Sequence, residues 1–155
     1  MYCVKKDLKI FSAAHRLIKG YVGKCKNLHG HNYKVSIKLC SDKLDGFGFV
    51  IDFNDIKALF DSWVQDHWDH ATLVCEDDHA LIDFLGNEKQ KFSVLPGGQN
   101  TTVEALTGYL FDVFASILKE KKTQAMFPNI SIVEVTIFES ETASATYVCG
   151  EYGGI

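Results

Sequence analysis

The sequence predicts an α+β fold built on a mainly antiparallel sheet, and three observations predict it. HNYKVSIKLC, residues 31–40, alternates apolar and polar side chains, the period of a strand with one buried face. Two later stretches, beginning near Phe53 and Thr101, repeat apolar residues every three or four positions, the period of an amphipathic helix. The elements run two strands, helix, helix, two strands with no internal repeat, an order suited to helices laid on an antiparallel sheet.

The chain of 155 residues is read as one domain, 1–155, able to bury about two thirds of the surface its unfolded form exposes. A net charge of −4 without a long basic cluster gives no electrostatic reason to expect nucleic acid. No apolar run approaches the roughly 20 residues that cross a bilayer, and MYCVKKDLKI lacks the apolar centre of a signal peptide. No membrane partner is therefore expected, and the default location is cytoplasmic. Five cysteines at irregular spacing, with no CxxC pair, do not read as a disulfide framework; Cys40 and Cys149 are expected as buried fillers.

In chain order, LKIFSAA forms strand one, with His15 at its end before a loop holding Gly20 and Gly23. Strand two follows, then an Asp- and Gly-rich turn and a short extended FVIDF. Asp52 caps a helix from about Phe53 to Trp68, with Ile56, Phe60, Trp63 and Val64 on its apolar face. WDHATLV leaves Asp69 and His70 in a loop. Residues 74–99 read as an inserted excursion with a short helix in DDHALIDFLGNE and a short strand in KFSVL. Thr101 and Glu104 stand in the capping-box relation at the start of the second helix, which ends in KEKK. In ISIVEVTIFE, Val133, Val135, Ile137 and Glu139 share one face, and SATYVCGEY supplies the last strand.

Chemistry concentrates in CKNLHGHNY, residues 25–33. On a strand, His29 and His31 point the same way and can share one metal ion. His15 is the candidate third ligand. Three neutral imidazoles suit catalytic zinc with one open position; Cys25, flanked by Lys24 and Lys26, would either close a structural site as fourth ligand or act beside an open one. Ordinary histidines paired with backbone or solvent are the bland alternative. Asp69 beside His70 is a candidate proton-transfer pair or a solvated dipeptide, and Glu139 a ligand hook or a satisfied edge residue. His67 and His79 receive no role.

FSAAHRL, CKNLHGHNYKV, IDFNDIK, WDHATL, NTTVEAL and VTIFESETASATY together resemble, in order, the 6-pyruvoyl-tetrahydropterin and 6-carboxy-tetrahydropterin synthase group. The resemblance implies the tunnelling type of fold: a four-stranded antiparallel sheet with two helices on one face, trimerising into a barrel and often pairing into a homohexamer, with sites at subunit interfaces. It implies zinc (Zn2+) on His15, His29 and His31, Cys25 as catalytic thiol, Asp69 and His70 as proton-transfer pair, and Glu139 as anchor of the pterin ring. Thr101, Thr102 and Arg16 are further substrate-binding candidates, Arg16 for triphosphate.

The implied substrate is 7,8-dihydroneopterin triphosphate. Three residues between Cys25 and His29 look like the carboxy branch, which makes 6-carboxy-5,6,7,8-tetrahydropterin for queuosine precursors with release of triphosphate and acetaldehyde. NTTVE is similar to the pyruvoyl branch of tetrahydrobiopterin synthesis, which eliminates triphosphate alone. A zinc-stabilised binding or scaffold domain is the non-enzymatic alternative.

Overall fold

The computed structural model describes residues 1–123 and 126–150. Its centre is β3 (His29–Ser41), whose inward residues Tyr33, Val35, Ile37 and Leu39 are fully buried. β1 (Tyr2–Asp7) and β2 (Phe11–His15) lie end to end along one edge of β3, both antiparallel to it. β6 (Ser131–Phe138) runs antiparallel along the other edge, and β7 (Ser144–Val148) pairs β6. These strands form the expected four-stranded antiparallel sheet, its first position shared by β1 and β2. Glu151 and Tyr152, at the end of the predicted last strand, lie outside the described residues.

The sheet then extends. β4 (Ala71–Cys75), a stretch given no element from sequence, runs parallel to β2, and β5 (Phe92–Leu95) parallel to β4. β4 is buried at every position, so it presents no alternation by which a strand announces itself. Between them the expected short helix, α3 (His79–Asn87 in chain order), packs Leu81 and Leu85 on Val74 in a small second cluster.

The main core lies between the sheet and two helical stretches. The first opens as α1 (Phe53–Ile56), capped by Asp52, whose side chain accepts from the Asn54 N–H. It widens into a π segment, Lys57–Asp61, and continues as α2 (Ser62–His67). The wider turn buries both Phe60 and Asp61, and Asp61 Oδ1 accepts from the Lys9 N–H at 2.9 Å, tying the helix to the β1–β2 break. The second stretch is α4 (Val103–Thr123), whose Leu106, Leu110 and Phe114 meet Ile56, Phe60 and Val64 over the sheet.

Thr102, not Thr101, caps α4: its Oγ1 accepts from the Ala105 N–H and its carbonyl from the Leu106 N–H. Thr101 is drawn off the helix and fully buried against His15.

Two cysteine expectations need correction. Cys3 and Cys40 stand opposite each other on β1 and β3, with Cα atoms 4.1 Å apart, and form a disulfide. Spacing hid the pair because antiparallel register joins residues 37 apart in sequence. Cys149 is half-buried rather than an interior filler. Cys3→Ser is expected to destabilise the oxidised protein by about 2–4 kcal/mol and the reduced protein by little, read as urea midpoints with and without reductant.

Candidate active site

β2 and β3 place the three histidines. His15 closes β2 directly opposite His29, and His31 lies two residues further on the same face of β3. Gly30 between them passes close to β2, where a Cβ would stand 3.2 Å from the Ala13 carbonyl oxygen. His15 Nδ1 donates to the Thr101 carbonyl at 2.7 Å, and His29 Nδ1 to the Asn27 carbonyl at 2.7 Å. Each Nδ1 faces an acceptor and must carry the proton, which leaves a lone pair on each Nε2. Those two Nε2 atoms face each other at 3.2 Å.

Two lone pairs so placed repel unless something electrophilic lies between them. Two nitrogens on one tetrahedral zinc, with bonds of about 2.0–2.1 Å, are themselves about 3.3 Å apart. The third nitrogen, His31 Nε2, is buried without a hydrogen-bond partner. One donor atom from each imidazole lies within 4.8 Å of the others, a set that Cys25 does not join. Burial of His15, opposed by the Thr101 bond, pushes its pKa down and favours the neutral form a metal requires. The donor set fits a zinc ion with an open fourth position.

Glu139 extends from the end of β6 to this cluster, with Oε1 3.4 Å from His31 Nε2 and 3.7 Å from His15 Nε2. Beneath them lies Tyr33, edge-on to His31 and His15. Cys25 sits half-buried in a short 3-10 turn, Lys24–Lys26, held by a bond from the Leu17 N–H to its carbonyl. Tyr21 is its neighbour, and the nearness of Cys25, ahead of burial, raises the Tyr21 pKa.

Asp69 and His70 make the contact that adjacent residues usually cannot, Oδ2 to Nδ1 at 2.9 Å. His70 adopts a left-handed backbone (φ 58°), which turns its ring back over its neighbour. Its N–H donates to the Ser12 carbonyl at 2.7 Å, and Asp69 Oδ1 accepts from the Ser12 N–H at 3.0 Å. That backbone bond, more than the imidazole, holds the Asp69 carboxyl below its ordinary range.

The His70 side chain is 81% exposed, over an open groove lined by Ser12, His31, Asn32, Gln90 and Lys91. Ser12 and Asn32 alternate with the histidine positions and bond each other, so they mark the other face of the sheet. The Ser12 level is also three residues, or about 10 Å, along β2 from His15. Of the three imidazoles, His31 alone also lines this groove.

The profile of 6-pyruvoyl tetrahydropterin synthase matches residues 3–149. The chain belongs to this family. It is similar to proteins named 6-carboxy-5,6,7,8-tetrahydropterin synthase, among them that of Synechocystis sp., 31% identical over 95% of this chain and 93% of that one. The Halobacterium salinarum protein, named probable for the same activity, is 32% identical over 86% and 79%. A 41% identical match to the Rickettsia felis protein of that name covers 50% of this chain and 55% of that one, so there the chain spans about half the length of its curated relative. Among solved structures, Caenorhabditis elegans 6-pyruvoyl tetrahydropterin synthase superposes with a TM-score of 0.64 at 26% identity, over 96% of this chain and 97% of that one. An uncharacterized Wolinella succinogenes protein gives 0.75 at 18% identity over 95% and 97%, a likeness of fold.

Within this tetrahydropterin synthase fold the remaining candidates separate. Thr101 contributes its carbonyl to His15, with its Oγ1 donating to the Arg16 carbonyl, while Thr102 serves as helix cap. Arg16 is committed elsewhere: its Nε and Nη2 both hold Asp78 at 2.7 Å, fixing the end of β2 to the start of α3. His67 stacks on Trp63 and bonds its carbonyl, a helix-internal role. The Thr101 and Asn27 carbonyls that orient the triad, and the tyrosines at 21 and 33, went unassigned from sequence. Only Tyr33 left a signal, by sharing the parity of His29 and His31.

Proposed function

We propose that the protein is a zinc-dependent lyase converting 7,8-dihydroneopterin triphosphate and water to 6-carboxy-5,6,7,8-tetrahydropterin, triphosphate and acetaldehyde, in supply of queuosine precursors. The observation that carries this reading is the convergence of three imidazole nitrogens beside Glu139, with Cys25 near but outside the ligand set. The names of near full-length relatives support the carboxy branch over the pyruvoyl one.

His15, His29 and His31 hold the ion. Zinc, when bound, supplies Lewis acidity that makes the hydroxyls of the substrate side chain and their neighbouring C–H more acidic. Glu139 accepts hydrogen bonds from the amino group and ring N–H of the pterin, a two-point contact that selects the heterocycle. Cys25 removes a proton from the side-chain carbon, and His70, oriented by Asp69, returns protons as triphosphate leaves. His70 reaches the substrate from a neighbouring copy, because within its own chain it lies on the other face of the sheet; a trimer or hexamer completes the site. Triphosphate contacts fall to residues other than Arg16, whose fork is filled by Asp78.

The test is incubation of zinc-loaded protein with 7,8-dihydroneopterin triphosphate and mass identification of the products. Equimolar triphosphate, acetaldehyde and carboxylated pterin are expected. A pyruvoyl product with no acetaldehyde would assign the chain to the other branch, and no triphosphate release under zinc-replete conditions would overturn both.

A further inference from the structure

Beside His31 Nε2, a second site atom is buried without a hydrogen-bond partner among the described residues, the hydroxyl of Tyr33. Tyr33 is fully buried on β3 and its ring is fixed on every side, stacked on Phe11 at 5.3 Å and edge-on to His31 at 5.4 Å. A hydroxyl held in a packed interior with nothing to bond destabilises the fold, and such groups in native proteins usually serve a function. Lys34 pairs Phe138 and Val35 pairs Ile137, so the antiparallel register sets Tyr33 opposite Glu139, the residue that follows the end of β6. A phenol is a neutral hydrogen-bond donor at physiological pH.

Glu139 needs such a donor. His31 Nε2 and His15 Nε2, 3.4 and 3.7 Å from its Oε1, are the atoms whose lone pairs a metal would take. An imidazole bound to metal through Nε2 has no proton there to offer a carboxylate. We propose that Tyr33 is a positioning residue: in the metal-loaded protein its hydroxyl donates to the Glu139 carboxylate and holds it toward the N–H groups of the bound heterocycle. The proposal deepens the pterin reading above and rests on it.

The test uses full-length, zinc-loaded Tyr33→Phe with two probes: 7,8-dihydroneopterin, and the matching 2-oxo heterocycle that lacks the amino group. Zinc content is expected to match wild type, and the thermal midpoint of the metal-free form to equal or exceed that of metal-free wild type, since there the variant removes an unpaired buried hydroxyl. Affinity for dihydroneopterin is expected to fall about tenfold, and the preference over the 2-oxo analogue to narrow by a similar factor, because a hydrogen bond to a charged group is lost. In a Glu139→Gln background the same substitution is expected to have no further effect, the signature of a coupled pair.

Unchanged affinity and preference in Tyr33→Phe, with wild type still selecting the pterin, would overturn the proposal and leave the pterin reading standing. Loss of zinc would also overturn it, assigning Tyr33 to support of the triad. Wild-type protein that binds neither heterocycle, or binds both equally, would overturn the pterin reading and the proposal together.

Discussion

Cys25→Ala is expected to retain zinc and assembly yet lose turnover by about 10²–10⁴-fold, the range for removal of a positioned proton-transfer group. The expectation follows from where the thiol stands. It lies outside the set of converging imidazole nitrogens that could hold a metal, and its turn is fixed by a backbone bond from Leu17 that the substitution leaves intact. Zinc content, oligomer size and single-turnover rate measured on one preparation check all three parts. Loss of zinc and fold together would instead support a closed structural site and the non-enzymatic alternative.

The second large effect separates two ligands that look equivalent in sequence. His15→Ala and His29→Ala should each release zinc and abolish activity, because two imidazoles leave the ion underliganded. Their metal-free forms should differ. His15 is 2% exposed and its Nδ1–H satisfies the buried Thr101 carbonyl, so His15→Ala strands that oxygen and costs about 1–3 kcal/mol. His29 is only half-buried and bonds a carbonyl in an exposed turn, so His29→Ala should stay within about 0.5 kcal/mol of wild type. Urea midpoints after chelation, alongside zinc content, read the contrast.

Local patterns carried much of the fold. The alternation in β3 located Tyr33, Val35, Ile37 and Leu39 on one buried face, and the same parity brought His29 and His31 together. Likewise Val135 and Ile137 lead along β6 to Glu139, which arrives at the triad as its position on that face required. What sequence concealed is what depends on distant chain. β4 is covered on both faces and lacks alternation. Cys3 and Cys40 meet only through register. Thr101 fits a capping box locally, but a buried imidazole N–H 86 residues away claims its carbonyl and passes the cap to Thr102. Arg16 stands beside a site residue in sequence, yet Asp78, also far along the chain, takes its guanidinium.

The Asp69 and His70 pair shows a different kind of gap. Its internal contact is formed within one chain, and its separation from the triad follows from strand parity once β4 is placed beside β2. On the proposed reading a neighbouring copy completes the site, which strand periodicity in one chain does not encode.

The proposed chemistry requires Cys25 to act beside an open metal position rather than occupy it. X-ray absorption at the zinc edge of the resting, full-length protein reads this directly. The expected spectrum contains nitrogen and oxygen neighbours near 2.0–2.1 Å, with imidazole scattering from three histidines and no sulfur shell. A zinc–sulfur distance near 2.3 Å would place Cys25 in the ligand set and contradict its role as proton acceptor.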